Sequence, residues 1–255
     1  MIANFHTHTP RCNHAVGTEQ EYIAQAKLAG LTELGFSDHT PYLFPQSYYS
    51  HFRMKPEELA GYVASLKSLR EENRSWLTMH IGVEAEYYPK FFDATVDFLR
   101  GNGIEYMLLG QHFTGSELDG TYTYQPTDDT ALLEQYVRQS ITAMETGLYT
   151  YFAHPDVIYY TGSRESYRQW MHTLVREAKN CSLPLEFNLL GFKSGRNYPN
   201  NAFLELVAQE NMPMILGCDA HEPEALNTPE AEQKARALLD SFGIPVLDTV
   251  PIRRI

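Results

Sequence analysis

The chain has 255 residues, 43% of them hydrophobic, which is enough for one sizeable core, and we expect a single domain spanning residues 1–255. Because 32 Asp and Glu outnumber 20 Lys and Arg, the formal net charge is −12, and this excess argues against nucleic acid as a partner. No signal-peptide pattern is present, and no apolar stretch approaches the roughly 20 residues that cross a bilayer. The three cysteines form no C-x-x-C pair, so we expect a cytoplasmic protein without a membrane partner, a disulfide or a thiolate zinc site.

Short apolar runs typical of strands alternate along the chain with longer amphipathic segments typical of helices. The strand-like runs are residues 2–5, 34–37, 80–85, 106–110, 150–153, 185–189 and 214–217. The predicted helices are residues 18–30, 56–74, 90–102, 128–147, 163–181, 200–211 and 229–242. Thr18 and Glu21 form a capping-box pattern at the first helix, and Pro56 suits the first turn of the second. Seven strand–helix units favour a parallel α/β barrel, with an open doubly wound sheet as the alternative.

Seven of the ten histidines stand at or just after the carboxyl ends of these strand-like runs. They are His6, His8, His14, His39, His112, His154 and His221, accompanied by the carboxylates Asp38, Glu84, Glu86, Asp156 and Asp219. In an α/β barrel the strand ends meet at one face, so we expect these side chains to converge. Imidazole and carboxylate bind zinc, manganese and iron, and a set of this size predicts two or three divalent ions. His51, His80 and His172 lack this placement and are expected to be ordinary core or surface residues.

Several carboxylates and imidazoles of this set have more than one possible role. Period-two alternation points Glu84 and Glu86 to the same side of a strand, and we favour Glu84 as the residue that bridges metal ions. Asp38 could bind metal, orient His39 or accept a proton. Asp38, His221 and a metal-bound water are all suitable as the acid that protonates a leaving group.

These motifs together resemble the PHP (polymerase and histidinol phosphatase) superfamily. The motifs are His6-Thr7-His8, His14, Asp38-His39, Gly82-Val83-Glu84, His112, His154-Pro155-Asp156 and Asp219-Ala220-His221. Their order and spacing match across essentially the whole chain. The resemblance implies an α/β fold, the distorted (β/α)7 barrel known as the PHP fold, with a trinuclear metal centre at its C-terminal face.

The resemblance also implies which residues hold each ion. The first ion would be held by His6, His8, Glu84 and Asp219. The second would be held by Glu84, His112 and His154, and the third by His14, His39 and His221. Glu84 would therefore bridge the first two ions.

Within the superfamily, chains of about this length with a Gly-Cys/Ser-Asp-Ala-His motif resemble the metal-dependent histidinol-phosphate phosphatases. Such a resemblance implies hydrolysis of L-histidinol phosphate to L-histidinol and phosphate, a step of histidine biosynthesis. A water that bridges two divalent ions is a hydroxide near neutral pH and can attack phosphorus in line. We expect Asp38, Glu84 and His221 to take part in this catalysis.

Three alternative functions are compatible with the same motifs. A phosphoesterase of this type could act on another small phosphorylated metabolite or a nucleotide. A DNA exonuclease is disfavoured by the acidic charge. A noncatalytic binding protein is disfavoured because the motifs are complete. A small-molecule phosphate ester is therefore the expected partner, while the sequence does not indicate the native metal or the oligomeric state.

Two arginines are candidates for binding the phosphate group. Residues 186–199 are similar to the phosphatase segment that presents an arginine to substrate, here Arg196, with a loop lengthened by residues 192–194. Arg164 follows the His154 motif and could offer a second planar fork to phosphate oxygens.

The region between the second strand and the second helix is predicted to be irregular. Residues 41–52 are rich in Tyr and Phe and contain two prolines, so they could form a lid or pack over the barrel mouth. Arg53 and Lys55 follow this segment and are expected to be exposed charges on a loop.

Overall fold

The computed structural model describes residues 1–45 and 48–255, and in these residues eight parallel strands form one curled sheet. The strands are β1 Ala3–Asn4, β2 Glu33–His39, β3 Thr78–Ala85, β4 Tyr106–Leu109, β5 Phe113–Thr114, β6 Thr121–Tyr122, β7 Tyr149–Phe152, β8 Leu185–Asn188, β9 Met214–Gly217 and β10 Val246–Leu247. Strands β5 and β6 form a separate antiparallel hairpin, and the other strands are neighbours in chain order. The distorted parallel barrel that the sequence predicts is confirmed, with β10 added to the seven expected strands.

Helices connect the strands at the positions that the sequence predicts. They are α1 Glu19–Leu28, α2 Leu59–Asn73, α3 Phe92–Gly101, α4 Thr130–Glu145, α5 Arg164–Asn180, α6 Leu189–Ser194, α7 Asn201–Gln209 and α8 Pro229–Ser241. The capping box at Thr18 is present, and Pro56 begins a 3-10 turn, Pro56–Glu58, that leads into α2. The sequence does not predict the short helix α6. The apolar run 185–189 predicts strand, but β8 ends at Asn188 and Leu189 begins the helix.

The chain segment after β1 pairs with the segment after β9 across the curled sheet. Thr7 and Ala220 form a parallel bridge, and the amide of His8 donates to the carbonyl of Ala220 at 2.9 Å. This bridge brings the chain segments after β1 and β9 side by side. Residues that follow the first and the last long strands therefore share one end of the barrel.

Apolar side chains fill the space inside and outside the curled sheet. The interior cluster contains Phe5, Tyr106, Tyr151, Ile215 and, from the C-terminal segment, Val250. A larger cluster packs the helices against the outer face of the sheet. Among the residues that the structure describes, none of the helices has both the length and the apolar content that a membrane span requires.

Candidate metal centre

Glu84, near the end of β3, is the central carboxylate of the C-terminal end of the barrel. Five imidazole nitrogens lie within 3.7 Å of its two oxygens, at 2.8 Å for His154, 3.2 Å for His39, 3.5 Å for His112, 3.6 Å for His6 and 3.7 Å for His8. His6 and His8 follow β1, His39 ends β2, His112 follows β4 and His154 follows β7. All five histidines and Glu84 are buried. The convergence predicted from strand ends is therefore what the structure shows.

Two glycines leave room for the buried carboxylates. A Cβ atom on Gly110, which follows β4, would lie 2.0 Å from Oε1 of Glu84. A Cβ atom on Gly217, at the end of β9, would lie 1.7 Å from Oε1 of Glu186. Any larger residue at either position would displace a carboxylate of the site.

The innermost group comprises His6, His8 and Asp219. Their ligand atoms lie within 4.8 Å of one another, and Oδ1 of Asp219 is 3.4 Å from Nε2 of His6 and 3.2 Å from Nε2 of His8. His6 donates through Nδ1 to Glu186 at 2.8 Å. This hydrogen bond fixes the ring so that Nε2 presents its lone pair to Asp219 and Glu84.

A second group lies nearer the barrel mouth and comprises His14, His39 and His221. Nδ1 of His14 donates to the Cys12 carbonyl at 2.7 Å, and Nδ1 of His221 donates to the Asp219 carbonyl at 3.0 Å. In its neutral form each ring carries a lone pair on Nε2, and these two nitrogens face each other at 3.0 Å. Two lone pairs at this distance repel, so a shared cation suits the pair.

Backbone conformation at two of these residues is unusual. His154 has φ of 33° and Asp219 has φ of 48°, and both residues follow the end of a strand. The left-handed region is costly for residues other than glycine, and such conformations persist where the surroundings impose them. Both residues are held at the site: the amide of His154 donates to Glu186 at 2.8 Å, and Oδ2 of Asp219 accepts from Asn188 at 3.1 Å.

The buried donor set fits divalent cations. Within the described part of the chain, several buried ligand atoms have no hydrogen-bond partner, namely Nε2 of His6, both ring nitrogens of His8, Nδ1 of His39, Oε2 of Glu84 and Nδ1 of His154. Leaving a buried polar atom without a partner costs about 1–3 kcal/mol. Since most of these atoms surround the same carboxylates, bound cations would satisfy them together, and the mixture of imidazole and carboxylate suits zinc, manganese or iron.

Charges in the cluster also favour cations. Burial alone lowers the pKa of His6, but the carboxylates of Glu186, Asp219 and Glu84 outweigh it and raise that pKa to about 10. Burial and the neighbouring His8 lower the pKa of His221 to about 3. The carboxylates around His6 therefore stabilise positive charge at that position. His221 at the mouth stays neutral and can offer a lone pair.

Glu86 and Asp38 lie behind the imidazoles and do not line the cavity. Oε1 of Glu86 accepts from Nδ1 of His112 at 2.8 Å, which leaves Nε2 of His112 directed at Glu84. Asp38 accepts hydrogen bonds from Thr9 and from the amide of His39, and its Oδ1 lies 3.6 Å from Nδ1 of His8. Asp38 is fully buried behind His8, where it can orient the ring of His8 and the amide of His39, and its direct part in catalysis stays a prediction.

A cavity of about 740 Å³ opens onto the metal-binding side chains. Its walls combine His14, His39, Glu84, His112, Asp219 and His221 with His51, Phe52, Phe113, Tyr122, Tyr124, Leu190 and Arg196. One side of the cavity is therefore polar and the other is aromatic. Of the three histidines expected to be ordinary core or surface residues, His51 lies on the cavity wall. His80 pairs with Glu33 and His172 with Glu210 away from the cavity.

The two predicted phosphate-binding arginines differ in position. Arg196 lies on the cavity wall, where Nη1 donates to the Tyr198 hydroxyl at 2.7 Å. Arg164 is 73% exposed and lies 3.5 Å from Glu205 on the protein surface. Arg164 begins α5 and its side chain lies along the surface towards α7, outside the described cavity wall, so its contact with phosphate stays a prediction that this position does not favour.

Asp156 of the His154 motif helps to place Arg196. Its Oδ2 accepts from the amide of Asn200 at 2.6 Å, and the neighbouring Val157 carbonyl accepts from Asn197 at 3.0 Å. Burial raises the pKa of Asp156 to about 7. These bonds tie the loop after β7 to the segment that carries Arg196.

Arg53 also differs from the prediction. It is predicted to be an exposed charge on a loop, but it is only 1% exposed. Its guanidinium donates to Glu117 at 2.7 Å and to Glu86 at 2.5 Å, and it lies over the ring of Phe52. Lys55 is exposed, as expected. Sequence reasoning missed the burial of Arg53 because its partner Glu117 lies 64 residues away.

The aromatic segment 41–52 packs against the barrel mouth, apart from residues 46 and 47, which lie outside the described residues. Tyr42 is buried and donates to the Glu86 carbonyl at 2.6 Å. Phe52 contacts the ring of His39, with centroids 5.6 Å apart, and stacks with Phe113 at 6.1 Å. Of the two expected roles, lid or packing wall, these contacts describe a wall, and movement as a lid stays a prediction.

Two further residues near the centre were missed by sequence reasoning. Glu186 accepts hydrogen bonds from His6 and from the amide of His154, and its position at the end of β8 was the signal that could have revealed it. The sulfur of Cys12 lies within 4.8 Å of ligand nitrogens of His8 and His221. Cys12 needs no C-x-x-C partner for such a role, because histidines supply the other ligand atoms of this group, and the absence of a thiolate ligand stays a prediction.

Comparison with known proteins supports this description of the fold. A probable histidinol-phosphatase of Deinococcus radiodurans is 28% identical over 231 residues, which cover 87% of each chain. The histidinol-phosphatase of Bacillus subtilis is 24% identical and covers 85% of this chain and 92% of its own length. The crystal structure of a histidinol phosphate phosphatase from Lactococcus lactis, in complex with zinc, L-histidinol and phosphate, superposes with a TM-score of 0.71. It is 18% identical and covers 97% of this chain and 96% of its own length, so the likeness shows the fold.

The PHP domain family matches residues 4–189, which include every predicted metal ligand before Asp219. These residues extend from β1 through the end of β8. The chain therefore belongs to the PHP domain family.

Proposed function

We propose that this chain is a metal-dependent phosphatase that hydrolyses L-histidinol phosphate to L-histidinol and phosphate. The observation that carries the proposal is Glu84, which lies within 3.7 Å of five imidazole nitrogens beside a cavity of about 740 Å³. The histidinol-phosphatases of Deinococcus radiodurans and Bacillus subtilis, similar over most of their length, support this substrate. We further propose that the chain acts as one domain in the cytoplasm, within histidine biosynthesis.

Three ligand groups in the structure support a centre of two to three divalent ions. His6, His8 and Asp219 form one group, Glu84 lies with His6 and His154 in a second, and His14, His39 and His221 form a third. We include His112 with the second group, since its Nε2 is 3.5 Å from Glu84. When bound, zinc, manganese or iron would neutralise phosphoryl oxygens and activate a water for attack on phosphorus.

The residues around the ions would bind and orient the ester. Arg196 offers a planar guanidinium to phosphate oxygens from the cavity wall, held there by Tyr198. The aromatic side of the cavity, with Phe52, Phe113 and Tyr124, suits a flat leaving group such as an imidazole. His221 lines the same cavity, and because burial and the neighbouring His8 lower its pKa, its Nε2 can offer a lone pair to a metal ion.

A phosphatase for a different small metabolite or a nucleotide is the second candidate. The same ligands would serve it, and a cavity of about 740 Å³ admits substrates larger than histidinol phosphate. The aromatic wall favours a substrate with a ring over a plain sugar phosphate.

Phosphate release from a panel of esters tests the proposal. The panel contains histidinol phosphate, sugar phosphates, nucleotides and an aryl phosphate, and the protein is loaded with zinc or manganese. We expect histidinol phosphate to lead in kcat/KM by orders of magnitude. Comparable slow rates for all esters would contradict histidinol phosphate as the substrate and keep only the assignment to a metal-dependent phosphatase. No turnover of any ester would contradict both candidates.

A further inference from the structure

Arg53 has the largest fully buried side chain in the described part of the molecule, yet it lies outside the three ligand groups. It lies in the loop between the aromatic segment and α2, where an arginine side chain could be exposed to solvent. Burying a guanidinium is costly unless its charge and its N–H groups are matched. Some of the contacts that match it lead to residues beside the metal ligands, and the others lead outwards to Glu117 and Phe52.

The first contact leads to His112. Nη2 of Arg53 donates to Oε1 of Glu86 at 2.5 Å, and the same oxygen accepts from Nδ1 of His112 at 2.8 Å. Arg53 therefore fixes the carboxylate that in turn fixes the ring of His112. A shift of Glu86 would rotate Nε2 of His112 away from Glu84.

Two further contacts lead to the ligands at the mouth. Nη1 of Arg53 donates at 3.3 Å to the carbonyl of Thr40, the residue after His39. The carbonyl of Arg53 accepts from Nδ2 of Asn13 at 3.1 Å, and Asn13 precedes His14. One residue thus contacts the neighbours of ligands from three separate parts of the chain.

The outer side of Arg53 is anchored to the aromatic segment and its surroundings. Nε donates at 2.7 Å to Glu117, whose other oxygen accepts from the Tyr48 hydroxyl at 2.8 Å. The guanidinium also lies 4.5 Å from the ring centroid of Phe52, which lines the cavity. The chain of contacts from Tyr48 to His112 is continuous and runs through Arg53.

We propose that Arg53 is a positioning residue for the metal centre, which holds His112, the His39 loop and the His14 loop in the arrangement that binds the ions. The inference rests on the proposed metal centre and extends it to the segment between β2 and α2. Arg53 does not contact the substrate cavity through its guanidinium, which acts through Glu86 and Thr40. Its backbone carbonyl holds Asn13, and this contact depends on the place of Arg53 in the fold.

The decisive measurement is zinc affinity, obtained by competition with a chromophoric chelator, in Arg53→Met. Loss of a residue that orients a metal ligand typically lowers metal affinity by about 10- to 100-fold, and we expect a loss in this range for the most weakly held ion. Arg53→Lys keeps the positive charge but loses the planar, forked N–H groups of the guanidinium, so its zinc affinity should lie between those of Arg53→Met and the wild type. Arg70→Met is the matched control, since Arg70 pairs with Glu105 at 2.7 Å on the helix side of the sheet.

Conservative variants keep the inference testable if Arg53→Met does not fold. Glu117→Gln weakens the outer anchor, and Tyr48→Phe removes one hydroxyl, so both should lower zinc affinity less than Arg53→Met and in that order. Tyr159→Phe is the control for Tyr48, because Tyr159 is similarly exposed and, in the described structure, no contact joins its hydroxyl to Arg53 or to the partners of Arg53. Excess zinc should restore kcat in these variants and leave KM near the wild-type value.

The outcomes separate this inference from the proposed function. Wild-type zinc affinity in Arg53→Met, or in Glu117→Gln when Arg53→Met is unfolded, overturns the positioning role. An equal loss in Arg70→Met also overturns it, because the effect would then be a general loss of stability. Tight zinc binding that depends on Arg53 without turnover of histidinol phosphate supports the inference and contradicts only the substrate.

Discussion

The two ends of the barrel are built from the same strands but are packed by opposite chemistry. Towards the N-terminal end the interior holds apolar side chains such as Phe5, Tyr106 and Ile215, covered by Val250 of the C-terminal segment. At the C-terminal end the buried side chains are imidazoles and carboxylates around Glu84. The apolar end is stable through burial alone, at about 25 cal/mol per Å² of apolar surface. The polar end is stable only when its buried donors and acceptors are matched, which cations would do.

This contrast predicts which changes affect metal and which affect only the fold. Variants at the polar end should lose ions and turnover at a modest cost in apo-protein stability. Variants at the apolar end should lose stability while the folded fraction keeps its ions. Each prediction below tests one side of that division.

The largest effect is expected for Glu84→Gln. The substitution keeps the side-chain shape but removes the charge that faces five imidazole nitrogens, so bound zinc should fall and turnover should drop to near background. Metal analysis of the purified protein and phosphate release measure both. Glu86→Gln keeps an oxygen for His112 and should retain much more activity. Equal losses in the two variants would contradict the central place of Glu84.

A nearly equal effect is expected for Gly110→Ala. The added methyl group would lie 2.0 Å from Oε1 of Glu84, so the carboxylate must move away from the imidazoles. Zinc affinity and kcat should both fall strongly, while circular dichroism should still show a folded chain. Gly101→Ala is the control, because the added atom has no described neighbour within 4 Å. Wild-type zinc affinity in Gly110→Ala would show that Glu84 is not tightly confined.

The sequence predicted the polar end well because its signal is local. When a histidine or carboxylate ends a short apolar run, the sequence alone gives both a possible metal ligand and its position at the C-terminal end of the barrel. His112 after β4 and Asp219 after β9 are examples. The strand and helix positions follow from the same periodicity. The Glu84 and Glu86 roles could be separated only in part, since alternation sends both side chains to one side.

What the sequence could not predict depends on contacts between distant segments. Arg53 is buried because Glu86 and Glu117 converge on it, and the residues near Arg53 in the sequence do not indicate either partner. Arg164 lies at the start of α5 rather than at the cavity because the helix axis directs its side chain towards Glu205. Cys12 has no cysteine partner, and only the folded chain brings it beside His8 and His221.

At the apolar end, Ile215→Ala should mainly lower stability. Ile215 is 1% exposed within the interior cluster, and truncation of a buried isoleucine costs about 2–5 kcal/mol. Urea unfolding of the metal-free protein measures this loss. Zinc bound per folded chain should stay at the wild-type value, although β9 leads directly to Asp219. A loss of zinc as large as that in Gly110→Ala would show that the two ends are not independent.

The smallest of these effects is expected at the rim of the polar end, for Arg196→Met. A hydrogen bond to a charged group contributes about 1.5–3 kcal/mol, so losing the guanidinium should lower kcat/KM for histidinol phosphate roughly 10- to 100-fold. The zinc content should not change, because Arg196 donates to Tyr198 and lies on the cavity wall rather than in a ligand group. Arg164→Met provides the matched control, since its side chain is 73% exposed and pairs with Glu205. If Arg164→Met lowered kcat/KM as much as Arg196→Met, the phosphate would have to approach from the α5 side, and the assignment of the cavity as the substrate site would be wrong.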